Sequence, residues 1–144
     1  MRLNRSTDIG LRILMLGAAR DDRLTIDELA DSLAVPRHHL AKVVQRLQHL
    51  GLLETVRGRG GGVRLSAAAR TASVGKFVRE LEGATEVVDC EGETACPLSS
   101  GCRLRGALAR AQEAFYATLD PITVDDLTAP PVREVLLTIG RTGR

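Results

Sequence analysis

The 144-residue chain has no tryptophan, one tyrosine (Tyr116) and two phenylalanines (Phe77, Phe115). A core without large rings must be built from Leu, Val, Ile and Ala, and the 44% apolar content supplies them. That favours packed helices. No apolar run approaches the about 18 residues of a membrane span. The segment ILMLGAA (13–19), after Arg2, Arg5 and Arg12, is short for a signal peptide. Ile9, Ile13 and Leu16 instead fall at helical spacing. The expectation is a cytoplasmic protein of one compact domain with an extension. Histidine is absent from residue 50 onward, and His38, His39 and His49 cluster in one basic segment. No nucleophile–base constellation emerges, so an enzyme is not expected.

Charge is unevenly placed. Residues 1–70 hold 12 Lys/Arg against 7 Asp/Glu, and residues 71–144 hold 8 against 11. Between 35 and 64 stand Arg37, Lys42, Arg46, Arg57, Arg59 and Arg64 with a single acid, Glu54. A basic first half points to a polyanion partner, double-stranded DNA.

The stretch TIDELADSLAVPRHHLAKVVQRLQHLGLLE carries the detail. Thr25 and Glu28 form a capping box that starts a helix with Ile26, Leu29, Ala30 and Leu33 on one face. Pro36 breaks the pattern and suits the first position of a second helix. In that helix Leu40, Val43, Val44 and Leu47 make one apolar stripe, and Gly51 ends it. Two short helices about a tight turn match a helix-turn-helix unit. The opposite face offers His38, His39, Lys42, Gln45 and Arg46, with Arg37 at its start, as donors to phosphates and base edges. An ordinary two-helix corner with solvated charges is the plain alternative. LLETV and VRLS then read as two strands around RGRGGG (57–62). Consecutive glycines permit a tight hairpin with Arg57 and Arg59 near its tip, able to enter a minor groove. The glycine spacing fits neither a dinucleotide fingerprint nor a phosphate-binding P-loop. Upstream, Ser6 or Thr7 is expected to cap a first helix running to about Arg20.

In the acidic half, SVGKFVRELEG (73–83) reads as a helix capped by Ser73 and stopped by Gly83. From about Cys102 another helix runs to Leu119, with Leu104, Leu108, Ala111, Phe115 and Leu119 at helical spacing. Its apolar residues exceed what one face needs, which suits a homodimer interface. Asp120-Pro121 ends it. TVDDL reads as one helical turn, and the tail beyond Pro130-Pro131 as loosely ordered.

Between these helices lies CEGETACPLSSGC, which holds all three cysteines, Cys90, Cys96 and Cys102, at even gaps of five. Disulfides would leave one thiol over. The gaps do not match the C-x₂₋₄-C pairs of structural zinc, and no histidine is near. Three thiolates in a flexible loop can hold an iron–sulfur cluster and leave one iron without cysteine. Glu86, Asp89, Glu91 and Glu93 make the segment acid-rich. Three buried neutral thiols, or a metal-free thiol switch, remain open on spacing alone.

The combination resembles the family of iron–sulfur winged-helix repressors that includes NsrR, IscR and RirA. The resemblance rests on RLNRSTDIGLRIL, on the central block through VRGRGGGVRLS, and on SVGKFVRELEG with DCEGETACPLSSGCRL. It spans about residues 1–120. It implies a homodimer with one cluster per subunit. IscR-like members place a histidine three residues after the last cysteine, where this chain has Arg105. NsrR-like members of actinobacterial type use an aspartate near the start of the first helix, reaching across the dimer, and Asp8 stands there. The resemblance thus implies a 4Fe–4S cluster on Cys90, Cys96, Cys102 and the partner subunit's Asp8, with nitric oxide as signal and nitric-oxide detoxification genes as targets. A 2Fe–2S cluster serving an iron or redox sensor is the alternative. The expected fold is mainly α with a small β-wing: a winged helix-turn-helix (1–70), a helix and cluster loop (71–102), a dimerisation helix (103–120) and a C-terminal turn and tail (121–144).

Overall fold

In the computed structural model, which describes residues 1–139, the first helix is the hub of the molecule. Helix α1 (Arg5–Arg20) buries Ile9, Ile13, Leu14, Leu16, Ala18 and Ala19, so its apolar positions cover most of its circumference. A helix buried on so many sides needs several neighbours. They are α2 (Ile26–Leu33), α3 (Arg37–His49), α5 (Val74–Glu82), α7 (Val124–Leu127) and α8 (Val132–Thr138).

The N-cap of α1 is Asn4 rather than Ser6 or Thr7. Its Oδ1 accepts the Thr7 amide at 2.8 Å. All three residue types cap well locally. Asn4 wins because its backbone and side chain also bond the end of α5, through the Glu82 carboxylate and the Leu81 carbonyl. Thr7 is left fully buried inside the first turn.

Helix α2 starts on the Thr25–Glu28 capping box, with both reciprocal bonds formed. It stops at Ala34, which takes a left-handed conformation. Pro36 is the N-cap of α3, one position before the expected one. The α3 stripe of Leu40, Val43, Val44 and Leu47 is buried against α1 and α2. Gly51, at φ 71°, follows the end of α3, where a left-handed backbone favours glycine.

Strands β1 (Leu53–Val56) and β2 (Gly62–Leu65) pair antiparallel, Leu53 opposite Leu65 and Val56 opposite Gly62. Leu24, in the link between α1 and α2, adds a single rung on the free edge of β2 by exchanging two 2.8 Å backbone bonds with Val63. This approach explains Gly62: a Cβ there would lie 2.4 Å from the Leu24 carbonyl oxygen.

A single turn, α4 (Ala67–Arg70), leads to α5, capped by Ser73 and ended by Gly83 as the sequence implies. Helix α6 (Arg103–Leu119) packs its C-terminal half on α5. A Cβ at Gly75 would lie 2.2 Å from the Asp120 carboxylate, so the two helices touch at that glycine. Arg79 locks the crossing with Glu113 (2.6 Å) and Asp120 (2.5 Å), and its guanidinium lies 4.9 Å from the Tyr116 ring.

The tail beyond Pro130-Pro131 departs from expectation. Residues 132–138 form α8, which packs on α1 through the buried Leu136. Residues 140–144 lie outside the described residues. Among the described residues no helix is long and apolar enough to cross a membrane.

Candidate DNA interface and cysteine loop

With its Leu/Val stripe buried, α3 turns Arg37, His38, Lys42, Gln45 and Arg46 to solvent, with His39 half-buried beside them. The His38 and His39 rings stack at 5.0 Å. Arg37 is paired with Asp27 of α2 at 2.6 Å, both about 70% exposed, a contact weak enough to exchange for a phosphate. Arg46 is engaged elsewhere: its Nη2 donates to the Glu80 carbonyl of α5 at 2.7 Å.

The wing tip spans Arg57–Gly61. Gly58 (φ 110°) and Gly60 (φ 70°) take backbone shapes closed to most residues, and the Gly61 amide donates to the Gly58 carbonyl. Arg57 and Arg59 are exposed on this tip. Arg64 points along the sheet to Glu54 (3.1 Å), so it is neutralised away from the tip. Arg23, not singled out from sequence, reaches the Gly61 carbonyl at 3.3 Å and adds a cation to the wing's flank. No local sequence pattern marks it, because the contact spans 38 residues.

The three cysteines sit in an irregular loop between α5 and α6, all as free thiols. The Cys96 amide donates to the Cys90 carbonyl (3.1 Å), and the Ser99 amide to the Cys96 carbonyl (3.1 Å). Cys102 is the N-cap of α6, its Sγ accepting from the Arg105 amide at 3.4 Å. Cys90 is buried; Cys96 and Cys102 are half-buried. Burial pushes the Cys90 thiol up. Arg105 opposes that shift, while Cys96, Cys102 and Glu86 add to it.

Arg105 braces this loop. Its Nε and Nη2 bond both oxygens of Glu86 (2.8 and 2.7 Å), and Nη2 also reaches Glu91 (3.0 Å). The bidentate pair holds the Glu86 carboxyl below its ordinary range and the guanidinium above its own. Two of the four acids noted in the sequence are thereby spoken for, and Asp89 accepts the Glu91 amide. An open cleft beside the loop is lined by Thr85, Glu86, Val88, Cys90, Glu91 and Arg105.

Asp8 lies in the first turn of α1. Arg12 grips both its oxygens, Nε on Oδ1 (3.0 Å) and Nη2 on Oδ2 (2.7 Å). Among the described residues no group of three or more His, Cys, Asp or Glu is drawn together closely enough to hold a metal ion, and Asp8 is not gathered with the cysteines. The donor chemistry of the loop still suits iron–sulfur ligation: three soft sulfurs in one loop and no imidazole.

Helix α6 buries only Tyr116 among its 17 residues. Leu104 is 63% exposed, and Ala107, Ala111 and Ala114 are exposed along the same helix.

The family model described as Rrf2, iron-dependent transcriptional regulator, matches residues 3–130. The chain is 56% identical over 140 residues to the HTH-type transcriptional repressor NsrR of Streptomyces coelicolor, covering 95% of each. It is 40% identical over 131 residues to the HTH-type transcriptional regulator NsrR of Geobacillus kaustophilus, covering 88% of this chain and 89% of that one. Among solved structures, CymR, the global cysteine regulator of B. subtilis, superposes with a TM-score of 0.69 at 23% identity, over 90% of this chain and 97% of the other. T. potens IscR does so at 0.66 and 20%, over 88% and 85%. These two likenesses speak for the fold.

Proposed function

Because the chain belongs to the Rrf2 family, as a DNA-binding transcriptional repressor of NsrR type and not an enzyme, we propose that it acts as a cytoplasmic homodimer whose grip on operator DNA depends on a 4Fe–4S cluster and is released by nitric oxide. The observation that carries this reading is the cysteine loop. Three free thiols lie in one loop that Arg105 braces through Glu86 and Glu91.

Cys90, Cys96 and Cys102 would hold three irons, and the partner subunit's Asp8 the fourth. The bound cluster would supply an iron that is open to nitric oxide, because a carboxylate is a harder and weaker ligand than thiolate. The cleft at Cys90 gives a small molecule a way to the loop. Asp8 must first release one oxygen from Arg12. That exchange is cheap: an exposed pair four residues apart contributes about 0.3–0.5 kcal/mol.

DNA would be read by Arg37, His38, His39, Lys42 and Gln45 in the major groove and by Arg57 and Arg59 in the minor groove. The bare face of α6 would pair two subunits, which fixes the spacing of the two heads. An Asp8 bridge from one subunit's α1 to the other's cysteine loop would tie that spacing to the cluster.

The test is anaerobic titration with nitric oxide, following absorbance, native mass and retention of DNA together. Four irons and four sulfides per subunit, with loss of DNA retention as the absorbance changes, supports the proposal. Two irons per subunit would favour the iron- or redox-sensing alternative. Iron-free protein that holds DNA unchanged would leave a thiol switch.

A further inference from the structure

We infer that the last turn of α5 is the junction through which the cysteine loop sets the attitude of the reading helix, with Arg46 as the positioning residue that makes the connection. The inference rests on the reading above and adds the route from the loop to DNA.

A helix end leaves its final carbonyls without partners inside the helix and gives them partial negative charge. In α5 two adjacent carbonyls of this kind are met from two different elements. Arg46 of α3 donates to Glu80 at 2.7 Å, and the Asn4 side chain, capping α1, donates to Leu81 at 3.3 Å. The Asn4 amide also donates to the Glu82 carboxylate at 2.9 Å. The next residue, Gly83, opens the segment that leads to Cys90. Reading helix, first helix and cysteine loop therefore share one turn.

The packing beneath that turn has no slack. A Cβ on Gly10 would stand 3.0 Å from Leu81 Cδ1, 3.1 Å from Phe77 Cζ and 3.7 Å from Val43 Cγ1. Those three side chains come from α5 and α3, so α1, α3 and α5 meet at one glycine. A close-packed contact passes displacement on instead of absorbing it. Arg105 and Gln112 of α6 tie Thr85 and Glu86, on the stretch that joins Gly83 to Cys90, and Glu91 just beyond it, to that helix. A shift of Thr85 or Glu86 is carried to Gly83 and the turn before it, with Gly83 three residues or fewer away along the chain.

Arg46 lies one helical turn beyond Lys42 on the exposed side of α3. Fixing Arg46 to Glu80 fixes where Lys42 and Gln45 point. A phosphate contact is the competing role for the same side chain, and salt dependence separates the two. Each phosphate contact contributes about one unit to the slope of log affinity on log salt. A bond to the Glu80 carbonyl contributes none.

The experiment uses the full-length protein, with and without its cluster. The probe is a duplex selected by the cluster-loaded wild type from a random-sequence pool. Arg46→Met and Arg46→Lys are compared with wild type across a salt series, and cluster absorbance and circular dichroism are recorded for each. The expected result for Arg46→Met is an unchanged cluster spectrum and a wild-type salt slope. The ratio of loaded to cluster-free affinity should shrink about tenfold, the scale of one charge-assisted hydrogen bond. Arg46→Lys, which keeps a donor, should recover most of that ratio. An equal loss in both forms, with a slope lower by about one, makes Arg46 a phosphate contact and overturns the inference. So does an undiminished ratio in Arg46→Met. A wild type that binds equally with and without the cluster overturns the underlying reading as well, and that arm alone reveals it.

Discussion

Asp8 and Arg59 are side chains whose surroundings leave them free to act. Among the described residues Asp8 pairs only with Arg12, in an exposed link, and Arg59 stands on the wing tip. For Asp8→Ala the expected outcome is a cluster lost at least several-fold faster to a chelator, with DNA affinity down about tenfold or more. Absorbance decay and a binding isotherm check it. For Arg59→Ala the expected loss in operator binding corresponds to about 1–3 kcal/mol, with iron content unchanged. Fluorescence anisotropy beside iron analysis checks that. Asp8 was singled out by the family resemblance, whereas sequence pattern made the exposed face of α3 legible, because its buried stripe dictates which positions remain outside. It did not expose the partners of Arg46 and Asn4. Both bond carbonyls far along the chain, at separations of 34 and 77 residues, and no local pattern encodes such a contact. Arg105 was legible as a departure from a histidine, but its grip on Glu86 and Glu91 was not.

At the level of elements, short helices here lean on their caps. The capping box of α2 is a case where charge matters as well. The backbone amide of Thr25 is the main reason the Glu28 carboxyl sits below its ordinary range, and the Thr25 hydroxyl adds to the effect. A lowered carboxyl stabilises the fold at pH values above its unfolded pKa, and the contribution is lost as pH falls through the folded value. Thr25→Ala should therefore cost about 1 kcal/mol at neutral pH. The share of that gap owed to the Thr25 hydroxyl on Glu28 should narrow below about pH 4, near the unfolded carboxyl value, while the backbone amide bond survives in the variant. Thermal melts of both proteins from neutral to acidic pH measure this. The same local chemistry made α2 and α5 readable, since Thr25, Ser73 and Gly83 act as the sequence implies, and TVDDL forms the single turn expected of it. Helix α8 was missed although Val132, Val135, Leu136 and Ile139 keep helical spacing. Two preceding prolines argued for a tail, and the hydrophobic cover that α1 offers Leu136 becomes visible only in three dimensions.

For the molecule as a whole, the unfinished part is α6. A helix with one buried residue and a leucine at 63% exposure is under-packed in a single chain. Leu104→Glu should leave the melting of the winged-helix head close to wild type while shifting sedimentation from dimer to monomer at micromolar concentration. Both can be followed on one preparation. The rung between Leu24 and Val63 has an effect at this scale too. It bolts the hairpin to the backbone immediately after α1, and Gly62 leaves no gap at the joint. If two chains pair through α6 as proposed, a tip that cannot swing leaves the distance between the two arginine-bearing tips to that interface alone, a ruler cut to one length. One extra base pair at the centre of an operator turns a half-site by about 35°, and a ruler that cannot bend reads that operator with one hand only.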